Sequence, residues 1–362
     1  MRLGQNTLRA TLTVCATLII TFTLTAFASR AYRRERTDLG IQHYNRGKLL
    51  EARSELDPAL EEYRKALLFA PNNTQYRLSL ATALLEAGRL SEAETHLEAL
   101  LNGNPTSGPI NLLVGRLAAE QHDLRRAVAY YQRGVYAYWP ESELGDRRQA
   151  RWQLANLLNE TGDRNGFIGE LMQLYTNLPP QATSEKLKVG FLLLANGATS
   201  EAYRIFQDQA KQAAQNAEVR LGLGEVHFAM GEYVSARHEF QRVLRLEPKS
   251  PEGAQMLELT NDVIDMDPAL PHITSSEQLR RSKNLLARVI KVLSPCAGTS
   301  GKVEQRLDDA GKLLSAPRKA EDAAFAMQSA ASQLWTDRNT LCGKSVPQDR
   351  AVETVLTRIG HE

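Results

Sequence analysis

No catalytic signature survives inspection in this chain of 362 residues. Gly343-Lys344-Ser345 ends like a phosphate-binding loop, but Arg338 stands where the leading glycine belongs, and no strand precedes it in the pattern. Gly222-x-Gly224 opens like a dinucleotide fingerprint, yet His227 occupies the third glycine position. His238-Glu239 begins a zinc-protease phrase in which Arg242 replaces the second histidine. The seven histidines are scattered, and no Ser/His/Asp grouping or carboxylate pair can be located. These absences point away from an enzyme, a metal site and a bound cofactor.

Cysteine is nearly as scarce. Of three, Cys15 lies in an N-terminal apolar run with bulky Val14 before it, which is unsuited to lipid attachment. That leaves Cys296 and Cys342, both in the last 91 residues. Charge of one sign is missing too: 44 Lys and Arg oppose 42 Asp and Glu, for a net of +2. Aromatic residues make up only 6%, and no basic stripe interleaved with aromatics is present, which argues against nucleic acid as a partner. The balance hides three unlike regions. Residues 1–36 hold six Arg against Glu35 alone, residues 272–362 hold 14 basic against 10 acidic groups, and the stretch between them holds 24 against 31. An acidic middle favours basic or neutral peptides over nucleic acid.

What the chain does contain is a repeated phrase. Ala59, Ala93 and Ala127 lie 34 residues apart, as do Pro71 and Pro105; Phe167, Ala202 and Ala236 continue the series. Residues 40–73, 74–107, 108–141, 148–181, 183–216 and 217–250 align as six units. Each opens with a helical segment carrying a small residue in its middle: Gly47, Ala81, Gly115, Ala155, Gly190 and Gly224. Gly88, Gly162, Gly197 and Gly231 mark turns, and a second helix follows with a large apolar residue at Tyr63, Leu97, Tyr131, Leu171, Phe206 or Phe240. Spacings of three and four put these on one helical stripe. Two antiparallel helices approach closely only where one lacks bulk, and the large residue then fills the hollow. Asp57-Pro58 reads as an N-cap with a first-turn proline, and Ser91 with Glu94 as a capping box. Pro71, Pro105, Pro140, Pro179 and Pro248 stop second helices.

The pattern resembles the tetratricopeptide repeat family, most fully in Gly224, Gly231-Glu232-Tyr233, Ala236, Phe240 and Leu246-Glu247-Pro248. Phe167 departs from it, as do the missing first-helix Trp and the six added residues Ser142 to Arg147. The resemblance implies an all-α superhelical solenoid of about six repeats, with first helices lining a concave groove that holds a protein or peptide. Carried onto this chain, the groove residues are Tyr44 and Lys48, Leu78 and Thr82, Leu112 and Arg116, Trp152, Asn156 and Asn159, Leu187 and Phe191, and Glu225 and Phe228. Trp152, Phe191 and Phe228 would supply an apolar floor, and Asn156 and Asn159 would hold an extended backbone.

The two ends differ from the repeats. Ala10 to Ser29 is an uncharged run of the length that spans a bilayer, although six threonines dilute it. It reads as an uncleaved anchor or, from Ala26-Phe27-Ala28, as a cleaved leader. Arg30, Arg33, Arg34 and Arg36 follow it and by charge alone favour a cytoplasmic side. Residues 251–271 read as a capping helix and linker. Residues 272–362 read as a small helical bundle over 275–294, 301–315, 317–341 and 348–359, with a capping-box start at Ser275 and Gln278. In an up-down-up-down bundle Cys296 and Cys342 fall at the same end, so a disulfide is reasonable; two buried thiols are the alternative. A disulfide favours export, with the repeats in the cell envelope outside the cytoplasm. The expectation is a non-catalytic, membrane-tethered scaffold, with homo-oligomers open.

Overall fold

The computed structural model describes residues 2–139, 141–296, 301–315, 320–342 and 349–360, with side chains described outside 2–17, Ile19, Ser142 and 320–321. Pro140, the Gly343-Lys344-Ser345 phrase and the side chains of Arg2, Arg9 and Cys15 lie outside the described residues. Among the described residues all regular structure is helical apart from one parallel bridge between Ser107 and Tyr138. The helices are α1 (Arg2–Ala52), α2 (Leu56–Phe69), α3 (Thr74–Glu86), α4 (Leu90–Gly103), α5 (Gly108–Glu120), α6 (Leu124–Tyr136), α7 (Leu144–Glu160) and α8 (Arg164–Asn177). They continue with α9 (Thr183–Ala195), α10 (Thr199–Gln212), α11 (Ala217–Ala229), α12 (Tyr233–Leu246) and α13 (Pro251–Met266). The last four are α14 (Ser275–Leu293), α15 (Gly301–Ser315), α16 (Ala320–Leu341) and α17 (Arg350–Ile359).

Four first helices start where the repeat alignment starts, at Thr74, Gly108, Thr183 and Ala217. The added residues after the third unit form a short 3-10 turn, Glu141–Glu143, and an extra turn at the start of α7. Second helices α2, α4, α8 and α12 each end two residues before their proline. Capping differs from the sequence reading. Asp57 lies inside the first turn of α2 behind Glu55, and Ser91 lies inside α4 behind Arg89, so neither caps. Glu94 instead accepts from Arg126 and Gln121 of the next hairpin. The caps that do form are on Asn73, Asp123, Asp163, Asn216, Ser250 and Thr274, whose side chains accept from a backbone N–H three residues on. The start of α14 is therefore capped one residue before Ser275.

The turn inside each hairpin requires one left-handed residue. Gly88, Gly162, Gly197 and Gly231 supply it with φ between 70° and 77°, and Ser54 and His122 adopt φ of 62° and 60° at the equivalent places. The hairpin period therefore imposes the conformation even where the residue disfavours it.

The chain divides into two compact units, Met1–Leu174 and Tyr175–Glu362. In the first, Tyr63 fills the notch over Gly47, where a Cβ would come within 2.6 Å of the ring. Tyr131 does the same over Gly115. Trp139 closes the third hairpin: it is buried against Gly108 and donates its indole N–H to the Gly134 carbonyl at 2.7 Å. In the second unit Phe206 rests on two glycines, Gly190 and Gly222, and Phe240 rests on Gly224. A further core joins Tyr233 and Phe228 of the last hairpin to Val263, Leu286, Val289, Leu334 and Val355 from α13, α14, α16 and α17. A disulfide links Cys296 and Cys342 with 5.3 Å between their Cα atoms, tying the end of α14 to the end of α16.

Among the described residues no helix is both long and apolar enough to cross a membrane.

Candidate functional site: the exposed face of the first helices

The hairpins present their faces consistently because a polar pair sets the register within several of them. The fourth residue of the repeat meets the seventh of its second helix, 19 positions later. His43 Nδ1 lies 2.7 Å from Glu62, Arg151 Nε lies 3.5 Å from Glu170, and Arg220 donates to Glu239 at 3.3 Å. The His43 hydrogen bond, with help from Lys65, holds the Glu62 carboxyl below its usual range. In the second hairpin the same place holds Arg77 opposite His96. Burial and the neighbouring Arg77 and Arg64 charges lower the His96 imidazole, whose buried Nδ1 has no partner. The same fourth residues also reach back six positions to a linker carbonyl: Arg77 to Pro71, Asn111 to Pro105, Lys186 to Pro180 and Arg220 to Ala214. The first clasp lies within one repeat, whereas the second ties each repeat to the linker that closes the one before it.

The fifth residues of the repeats come next along the first helices. In the first unit these are Tyr44, Leu78, Leu112 and Trp152, all half-buried. Tyr44 stacks on Tyr76 of the following hairpin at 4.7 Å between ring centroids, and its hydroxyl lies 3.3 Å from Ser79 Oγ. Lys48 is exposed, with its ammonium 6.0 Å above the Tyr44 ring. Arg116 is half-buried, while Asn156 and Asn159 are exposed. A recess of about 660 Å³ opens at the N-terminal ends of α3 and α5, lined among others by Gln75, Leu78, Asn104, Ile110, Tyr138 and Glu143. Tyr138 stands over it with 80% of its surface exposed.

In the second unit the corresponding residues are fully buried at Leu187 and half-buried at Phe191, Glu225 and Phe228. Phe191 packs edge-on to Phe206 at 4.9 Å. Burial raises the Glu225 carboxyl above its usual range, with the Arg350 charge of α17 partly opposing this. Phe228 packs edge-on to Tyr233 at 5.2 Å and against the core that contains Val352 and Val355 of α17. Arg358 of α17 sits 5.6 Å over the Tyr233 ring and donates to Asp267 Oδ2 at 3.1 Å.

Sequence reasoning passed over Tyr138, Gln75 and Asn104. A usable signal was present, because Tyr136, Tyr138 and Trp139 form an aromatic cluster in one linker that no other repeat shares. Among the described residues no group of three or more His, Cys, Asp or Glu is disposed to hold a metal ion.

Antiparallel hairpins of constant period, each burying an aromatic or leucine against a small residue, define a helical-repeat protein of the solenoid class. The family model described as tetratricopeptide repeat matches residues 46–117 and 193–259, one stretch in each unit. Among characterised relatives it is similar to the BBSome complex member BBS4 of Bos taurus, 31% identical over 86 residues. That match covers 24% of this chain and 17% of BBS4, so the chain aligns with about a sixth of its relative's length. Among solved structures it is similar to PilF of Pseudomonas aeruginosa, at 16% identity over 62% of this chain and 99% of that one, with a TM-score of 0.41. It is also similar to PilW, a type IV pilus biogenesis factor, at 17% identity over 62% and 98% with a TM-score of 0.36. YrrB, a TPR protein, matches at 16% identity over 64% and 97% with a TM-score of 0.29.

Proposed function

We propose that this chain is a non-catalytic scaffold that holds a protein or peptide partner on the first-helix face of its N-terminal unit. The observation that carries the reading is Tyr138 standing exposed over a recess edged by Gln75, Asn104 and Glu143, with Leu78 and Ile110 at its base. An accessible aromatic, apolar side chains and several amide or carboxylate edges match an extended polypeptide, which offers alternating side chains and backbone donors and acceptors. Asn156 and Asn159, exposed on α7, offer further amide groups on a first helix of the same unit.

The reading includes a membrane tether through Ala10–Ser29 and repeats outside the cytoplasm, with a cleaved leader and a soluble envelope protein as the alternative. The disulfide between Cys296 and Cys342 supports an oxidising compartment. The test is site-specific photo-crosslinking in intact cells from Tyr138 and Gln75, with Ser91 on α4 as control. One partner polypeptide captured from both recess positions and not from Ser91 is the expected result. No discrete adduct, or equal adducts from all three positions, overturns the reading. An accessory subunit of an envelope enzyme or transport complex, with the C-terminal helices as effector, is the second reading. The shared core of the last hairpin with α13 to α17 favours it, and the identity of the adduct separates the two.

A further inference from the structure

Helix α1 runs without a break from the apolar N-terminal segment into the first repeat, a span of roughly 77 Å. Over its described side chains, Leu18 and Phe22 lie on one face, and Ile20, Leu24 and Phe27 lie on the opposite face; all are between 55% and 74% exposed. A protein groove covers one stripe of a helix, whereas a bilayer surrounds it. The threonines between them are internally satisfied. Thr21 donates to the Leu18 carbonyl, Thr23 to Ile20 and Thr25 to Thr21, at 2.9 to 3.0 Å, which removes much of their cost in hydrocarbon.

One turn further on, the surface changes character. Arg30, Arg33 and Arg34 are exposed, with Glu35 the single carboxylate between Arg30 and Arg36. Tyr32 is 61% exposed, and Arg36 lies 5.9 Å over its ring. Arg36 also donates to the Leu68 carbonyl at 2.9 Å, which draws the end of α2 to the same level of α1. Leu68 itself is 71% exposed. An interfacial aromatic, a basic collar and an outward leucine from a second helix thus lie at one height along α1.

We propose that this collar is a binding site for anionic phospholipid headgroups, with Arg30, Arg33 and Arg34 engaging the phosphates and Leu68 seated at the interface. The proposal rests on the membrane-tether reading and specifies its lipid. It makes the first hairpin a membrane-contacting element, not one suspended on a loose linker. Each arginine near an anionic surface strengthens attachment several-fold, and three together give about a hundredfold.

The test uses the full chain, diluted from detergent into vesicles of phosphatidylcholine alone or mixed with phosphatidylglycerol, with partitioning measured by flotation against lipid concentration. An environment-sensitive dye on Leu68→Cys, in a Cys15→Ser background, reports the position of α2. The expected result is at least about tenfold tighter partitioning into the anionic vesicles, abolished by R30Q/R33Q/R34Q, with a blue-shifted dye in those vesicles only. Equal partitioning into both lipids overturns the headgroup site and leaves the tether standing. Selectivity that persists in the triple variant also overturns it. Absence of flotation with either lipid overturns the tether as well.

Discussion

The two units use one repeat grammar and reach opposite ends with it. In the N-terminal unit the outward residues of the first helices stay accessible: Lys48, Asn156 and Asn159 are exposed, and a recess opens beneath Tyr138. In the C-terminal unit none of Leu187, Phe191, Glu225 and Phe228 is exposed, the last three being half-buried. Leu187 is fully buried, and Glu225 and Phe228 face a core completed by α17. Position in the repeat therefore decides the direction a side chain faces, and the downstream helices decide whether that face meets a partner or the chain itself. The amphipathic α17 does to the last hairpin what a bound helix does to a groove.

Four measurements break or sharpen this comparison. The largest effect is expected from Phe206→Ala, which empties the space over two glycines and should cost about 3–5 kcal/mol in chemical denaturation. If the units unfold separately, only one transition should move; a matching shift in both means they are energetically one body. Next come Gly47→Ala and Gly190→Ala, one in each unit. Their new methyl groups would meet Tyr63 at 2.6 Å and Phe206 at 2.9 Å, so each should cost about 1–3 kcal/mol. A neutral result at either position shows that the aromatic can slide. Smaller, and of opposite sign, is His122→Gly, which removes a left-handed strain and should raise stability by about 1 kcal/mol.

The smallest effect is a pH response of opposite sign in the two units. The lowered His96 keeps the folded first unit neutral while the unfolded chain takes up a proton. That unit should therefore lose stability as pH falls below 6.5, the ordinary histidine value, and H96Q should remove the slope. Glu225 is raised, so its contribution is fully present below the ordinary value of 4.5 and is lost as pH rises through its folded value. E225Q should thus stabilise the second unit at neutral pH and make no difference in acid. Melting curves recorded across this range check both signs.

Much of the scaffold was legible because it depends on residue size at constant spacing. The small-and-large alternation set repeat boundaries at 74, 108, 183 and 217, where four helices begin, and helix order made the cysteine pair reasonable. Caps were less legible, since Ser91 and Asp57 carry capping chemistry but lie one or two residues inside their helices. The polar clasps escaped because the pairing is conserved in geometry and not in residue type: His, Arg, Asn and Lys all serve at one position. Outward positions on first helices could be named from the repeat, but their accessibility could not. The closure of the last hairpin rests on contacts such as Arg358 to the Gly231 carbonyl, 127 residues apart, which no local pattern encodes. Leu68 beside the arginine collar is likewise a product of folding back, not of neighbourhood in the chain.

The polar clasp within each hairpin carries one more implication. The pair 19 residues apart lies inside one unit of 34 residues, while the six-residue reach ties that unit to the linker of the one before it. A whole unit gained or lost by duplication or deletion would leave the other 19-residue pairs untouched, and the reach across the new boundary needs only a backbone carbonyl, which any linker supplies. Array length in such a chain is accordingly cheap to alter over generations, whereas the terminal closure by α17, tailored to one particular hairpin, is not.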